Sequence, residues 1–203
     1  MKRFLSMTVF IAAAVVSGYG QAANQPTSQC TLKVAQAPTI RGLKLGMKMD
    51  DVLEMFPGSR ENDQYIRDLL AGNDLWPNFG VLSFNISPNM YPGKERFAGV
   101  SALYFTFVDA RLVQYTVQYG RPPWPRLDDF INKTAGALKL PQADSWVRDN
   151  EQRKNLMCDG FSIWAEAHDG SGSLILRAGV NPNKILDERR VAAEEEERRT
   201  FKP

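Results

Sequence analysis

Two hydrophobic periods alternate along this chain. Met49, Val52, Leu53 and Phe56 fall at i, i+3, i+4 and i+7, one face of a helix. Asp50 and Asp51 sit in its first turn, where negative charge suits the helix dipole. Pro57-Gly58 stops it. A second short helix is expected over Asp63 to Leu70, with Tyr65, Ile66, Leu69 and Leu70 as its apolar side. The period then changes to two. Leu82, Phe84 and Ile86 alternate with Ser83, Asn85 and Ser87, a half-buried strand. Val100 to Val108 and Leu112 to Tyr119 read as a hairpin turning at Asp109-Ala110, without the Gly that a type I′ turn prefers.

Helical spacing returns at Leu127, Phe130, Ile131, Thr134, Ala135 and Leu138. Pro125 is placed in that helix's first turn, where its missing N–H costs nothing, and Pro141 ends it. Trp146 to Arg148, Phe161 to Ala167 and Ser173 to Ala178 are further strands, with Asp169 to Gly172 as a turn. Thr31 to Thr39 reads as extended, and Lys184 to Lys202 as helix. Helices segregated from hairpin-linked strands give an α+β class: an antiparallel sheet of about six strands, helices on one face, and a charged C-terminal helix.

Met49-Asp50-Asp51-Val52-Leu53 and Leu127-Asp128-Asp129-Phe130-Ile131 echo one another 78 residues apart. A tandem of α-βββ halves, 40–120 and 121–183, produces such an echo. So does the common acidic start of unrelated helices. The strands do not align at the same offset.

The first residues change the chemical picture. Lys2 and Arg3 precede an apolar run from Phe4 to Val16, and Gly18, Gly20, Ala22 and Ala23 are small. This is the pattern of a secretory signal peptide over 1–22, cleaved after Ala22. The apolar run is shorter than the ~20 residues a bilayer span needs. The 203-residue chain carries 25 Lys+Arg against 23 Asp+Glu. Cleavage removes Lys2 and Arg3, leaving 23 of each sign. A neutral chain has no basic field for nucleic acid. The expectation is a periplasmic or secreted protein with one α+β domain over 23–183 and a charged helical tail over 184–203. No later stretch is long and apolar enough to span a membrane. In an oxidising compartment Cys30 and Cys158 are expected to form a disulfide.

Leu45-Gly46-Met47-Lys48-Met49-Asp50-Asp51-Val52-Leu53-Glu54-Met55-Phe56 resembles the "LGMT-x-x-EV-x-x-x-L" opening of the periplasmic SmpA/OmlA (BamE) domain. The β-lactamase inhibitory protein fold opens in a similar way. The resemblance covers roughly residues 40 to 120 and implies a helix leading into an antiparallel sheet, used in tandem in the inhibitor. Lys48 stands where the family's capping Thr would be, and Lys cannot cap an N-terminus. The BamE lipid-attachment Cys is absent. The wider pattern looks like that of uncharacterised secreted bacterial proteins.

Catalytic motifs are scarce. His168 is the sole imidazole, read as an exposed turn residue rather than a catalytic one. No G-x-S-x-G, H-E-x-x-H or phosphate-loop pattern occurs. No catalytic residue, metal or cofactor is assigned, and the chain is read as a non-enzyme. Trp76, Trp124, Trp146 and Trp164 carry more information. Trp164 and Glu166 fall on the side of their strand opposite Ile163, and Tyr104 and Thr106 do the same on theirs. These four residues form a candidate binding face for another periplasmic or extracellular protein. A covering layer, such as the C-terminal helix, is the competing account of that face. The alternative function is a small-molecule or lipid carrier, with a pocket between sheet and helix lined by Tyr115, Tyr119 and Trp164. A hydrolase ranks third.

Overall fold

Seven strands form one antiparallel sheet in the order β1-β2-β3-β7-β6-β5-β4. The computed structural model describes residues 30–71, 79–120, 124–168 and 171–201. The expected signal peptide, Trp76 and Asp169-Gly170 lie outside the described residues. Three helices come first: α1 (Met49–Leu53), α2 (Ser59–Asn62) and α3 (Gln64–Leu70). The meander β1 (Val81–Ile86), β2 (Val100–Val108) and β3 (Arg111–Tyr119) follows. Then come α4 (Leu127–Leu138), a second meander β4 (Val147–Asn150), β5 (Arg153–Cys158), β6 (Phe161–His168) and β7 (Ser171–Ala178), and α5 (Pro182–Thr200). The last strands of the two meanders pair, Gln114 opposite Arg177 through Tyr119 opposite Gly172, and join them into one sheet.

The α+β class holds, with one strand more than the pattern indicates. Strand β5 reads Arg-Lys-Asn-Leu-Met-Cys, and Lys154 occupies a core-side position. Its alternation is hidden because that lysine is buried yet charged. Lys154 Nζ lies 2.7 Å from Asp128 Oδ1 and donates to the Ala143 carbonyl at 2.9 Å. A buried ammonium persists only with such partners. Strand β4 starts at Val147, and Trp146 before it is buried, its indole N–H donating to the Pro141 carbonyl at 2.9 Å.

Helix α1 is shorter than its apolar spacing suggests. Val52 and Leu53 are buried inside it, and Phe56 is buried in the turn beyond its end. In α3 only Ile66 is fully buried, and Tyr65 faces solvent. Its N-cap is Asp63, whose carboxylate accepts from the Ile66 N–H at 3.1 Å. Pro125 lies outside α4, whose N-cap is Arg126. The segment read as extended contains a 3-10 turn at Val34–Gln36.

Core side chains sit on one face of the sheet. Phe84, Phe105 and Phe107 pack beneath the first meander, with Phe56 stacked on Phe97 at 5.0 Å between ring centroids. Beneath the second meander lie Leu156, Ile163, Leu174 and Leu176, with Phe130 and Ile131 buried on α4. A Cβ at Gly172 would stand 2.6 Å from the Phe130 ring, so glycine is what lets α4 approach β7. Tyr115, fully buried at the seam, donates towards the Leu43 and Pro38 carbonyls at 3.1 and 3.3 Å, holding the N-terminal segment on the core face.

Helix α5 begins two residues before Lys184. Its Asn181 N-cap accepts from the N–H groups of Asn183 and Lys184, and Pro182 is at its first position. The helix docks at the end of the sheet near β1 and β2. There Arg189 forms a bidentate pair with Asp109 at 2.8 and 2.9 Å and donates to the Phe79 carbonyl at 2.7 Å. Residues 190–200 are exposed along their length. Cys30 and Cys158 form the disulfide, with Cα atoms 4.5 Å apart. No helix among the described residues is long and apolar enough to cross a membrane.

Candidate functional site

The face of the sheet opposite the core carries three side-chain rows that run across strands in register. The central row is Asn85, Tyr104, Thr116, Ile175, Trp164 and Asn155, each opposite the next on the neighbouring strand. On one side of it run Ser83, Thr106, Gln114, Arg177, Ser162 and Met157. On the other side are Ala102, Gln118, Ser173, Glu166 and Arg153. The period of two along each strand puts these residues on one face together.

Tyr104, Thr106, Trp164 and Glu166 therefore share that face. Tyr104 and Trp164 lie in one row three strand spacings apart, about 14 Å. Thr106 and Glu166 flank that row on opposite sides. Tyr104 is 47% exposed and Met157 54%. Met157, Ile175, Arg153 and Arg177 also belong to this face. Met157 gives no signal in the sequence, because Lys154 at a core-side position hides the alternation of its strand.

The principal contacts of α5 are with β1 and β2, at one end of the sheet. The rest of the face carries no second layer among the described residues.

Polar pairs brace the surface. Arg153 Nε lies 2.7 Å from Glu166 Oε1, and its guanidinium carbon sits 5.2 Å from the centroid of the Trp164 ring. The cation thus holds both the carboxylate and the indole in place. Arg177 Nε donates to Gln114 Oε1 at 2.7 Å, and Ser83 Oγ to Thr106 Oγ1 at 3.0 Å. These contacts restrict the rotamers of the side chains on this face.

The other tryptophans lie elsewhere. Trp124 packs edge-on against Phe130 at 5.4 Å, on the core side, and Trp146 is buried. The trio Tyr115, Tyr119 and Trp164 is not brought together, since Trp164 is on the opposite face from the buried Tyr115.

His168 is exposed and lines an open cleft of about 610 Å³ at the start of α4, with Trp124, Arg126, Asp128, Arg148 and Glu151. Much of the charge in this cleft is internally matched. Arg126 clasps Asp129 at 2.8 and 3.0 Å, and this bond holds the Asp129 carboxyl below the usual range. Asp128 faces Lys154 at 2.7 Å and Arg148 at 3.7 Å. Among the described residues no group of three His, Cys, Asp or Glu is placed to hold a metal ion. No protein-family model, curated protein or solved structure matches the chain.

Proposed function

We propose that this chain is a periplasmic or secreted, non-enzymatic binding protein that docks another protein on the open face of its sheet. The observation that carries the proposal is the in-register Tyr104–Trp164 row on a face without a second layer among the described residues. Tyr, Trp, Met and Arg are the residue types enriched at interface centres, and Tyr104, Trp164, Met157, Arg153 and Arg177 are all here.

Size supports the same reading. Six strand spacings by about 20 Å of strand give roughly 600 Å², close to the ~800 Å² each partner contributes to a standard interface. The disulfide supports an oxidising compartment, and the signal-peptide pattern agrees with it. The likeness of the α1 region to the BamE and β-lactamase inhibitory protein openings points to the same class of periplasmic domain.

The test is a pull-down from periplasmic extract with the exported protein, its Trp164→Ala and Tyr104→Ala variants, and an Asp187→Ala control on α5. A genuine partner is retained by wild type and control, and loses about tenfold or more in affinity with either aromatic variant. A retained set unchanged by Trp164→Ala ends the proposal.

A further inference from the structure

On the core side, away from the open face, a second concavity lies between α4 and the turn that precedes α1. Its volume is about 380 Å³, at the small end of the ~300–1,000 Å³ typical of ligand pockets. One stripe of α4 forms a wall: Phe130, Lys133, Thr134, Ala137 and Leu138, spaced i, i+3, i+4, i+7 and i+8. Along this stripe Lys133 and Ala137 are exposed, Thr134 and Leu138 are half-buried, and Phe130 is buried against β7 at the floor. Tyr119, Trp124 and Ile40 complete the lining. The aromatic part is one packed unit, with Phe130 edge-on to both Trp124 and Tyr119, at 5.4 and 5.8 Å.

Two cations and no carboxylate line this apolar hollow. Lys133 projects from α4, and Arg41 from the facing turn. Arg41 is held firmly. Ile40 and Leu43 exchange backbone hydrogen bonds at 3.0 and 2.9 Å, closing a two-residue turn in which Arg41 and Gly42 have φ of 54° and 91°. One Arg41 Nη donates to the Ala98 carbonyl at 2.9 Å, and the Arg41 carbonyl accepts from Arg96 Nε at 2.9 Å. Neither Arg41 nor Lys133 has an ion-pair partner among the described residues. Burial raises the pKa of the Tyr119 hydroxyl, and the positive charge of Arg41 opposes that rise, so the guanidinium is felt inside the hollow.

An apolar, aromatic-walled hollow with two unmatched cations complements a molecule of one shape: an apolar body ending in an anion. A neutral apolar ligand would leave both cations unused, and a cationic one would be repelled. We propose that this pocket binds a small amphiphilic carboxylate, its chain against Trp124, Phe130 and Leu138 and its carboxylate between Arg41 and Lys133. This site is separate from the sheet face and does not rest on it.

The probe is decanoate below its micellar concentration, titrated by calorimetry into the full exported protein. One saturable site is expected. Arg41→Gln combined with Lys133→Gln should weaken it about tenfold or more, the loss of charge-assisted contacts. Ala137 is exposed on α4, so Ala137→Trp should fill the hollow without touching the core and abolish binding. Ala137→Asp, which introduces a carboxylate, should do the same if the larger side chain perturbs folding. Decyltrimethylammonium should neither bind nor compete, and Trp164→Ala should leave decanoate affinity unchanged. Absence of saturable heat, binding that survives both Ala137 variants, or equal binding of the cationic amphiphile would each overturn the proposal. Binding only to anionic phosphatidylglycerol vesicles, with none to free decanoate, would also overturn it.

Discussion

Removing the disulfide should cost this domain more than any other small change at a single site. Cys30 and Cys158 are 128 residues apart, so the bond closes most of the described chain into a loop. In the chain-entropy picture such a loop removes about 17 cal/mol/K from the unfolded ensemble, or ~5 kcal/mol at 25 °C. The native side should change little. The Asp159 N–H donates to the Leu32 carbonyl at 3.0 Å, and Lys33 bridges Asp159, so the backbone contacts just after the two cysteines remain when the sulfurs are separated. The loss should therefore come from the unfolded chain. For a domain of this size ~5 kcal/mol corresponds to a Tm lower by about 10–20 °C. It is also comparable with the whole stability of many domains, ~5–15 kcal/mol.

The assay is urea unfolding of wild type and of the double variant Cys30→Ala/Cys158→Ala, followed by circular dichroism. A lower midpoint with a steeper slope is expected, because the unconstrained chain exposes more surface. If the double variant is within about 1 kcal/mol of wild type, the entropic reasoning fails. If the slope is unchanged while stability falls, the bond acts through native contacts instead.

Other predictions follow from single positions. Asp109 and Ala110 both turn through positive φ, 49° and 58°, as a type I′ hairpin without glycine. Ala110→Gly relieves ~1–2 kcal/mol of left-handed strain against ~0.4–1 kcal/mol of added unfolded-state freedom, so the net should be a gain of about 0.5–1 kcal/mol by thermal melting. Lys48 starts α1 without a side-chain cap; Lys48→Thr should add about 1 kcal/mol, and an unchanged melting temperature would reject that. Gly172→Ala drives a methyl into the Phe130 ring and should cost about 1–3 kcal/mol in urea unfolding. The Tyr91 hydroxyl is pushed up to about 12 by burial first and then by its bond to Asp63. A phenol raised in the folded state stabilises fully below its unfolded pKa, and that contribution is lost as pH rises from about 10 to 12. Over that interval stability should fall less in Tyr91→Phe than in wild type; parallel curves would refute the assignment.

The legible parts of the fold were those where a side chain's polarity reports its position. Phe105, Phe107, Phe130 and Ile163 sit where their periodicity places them, because burial of apolar area decides their side of an element. Tyr104 and Trp164 were legible as outer-face residues for the same reason: their neighbours at odd spacing had to be inside. Strand β5 was not legible because Lys154 is a charge in a core position, admitted by Asp128 far back in sequence. The same long-range dependence hid the pocket beside α4. Arg41 and Lys133 are ordinary surface cations until the fold places them across one apolar hollow. The strength of the face as a continuous surface was also invisible, since register across strands is a tertiary fact.

That register explains why the 78-residue echo was clear at the helices and lost at the strands. Met49 and Leu127 are the first residues of α1 and α4, and both follow uncapped basic N-caps, Lys48 and Arg126. From there the offset shrinks. Val81 and Arg153, which open β1 and β5, are 72 apart; Val100 and Phe161, opening β2 and β6, are 61 apart; Arg111 and Ser171, opening β3 and β7, are 60 apart. The largest single drop is in one connection, residues 87–99 in the first meander against 159–160 in the second. The sheet order therefore reads as the same inward meander from either edge, meeting at β3 and β7, with β4 added at one side. The open face is consequently built from both meanders. Tyr104 comes from the first and Trp164 from the second, and they share a face only through the pairing of Thr116 with Ile175. A slip of one residue at that seam would turn one meander over relative to the other and separate the two aromatics. Such a slip is opposed from the core side: Tyr115 and Val117 would leave their buried positions, and Gly172 would no longer lie under Phe130. The packing that stabilises the domain is thus also what assembles its candidate binding face.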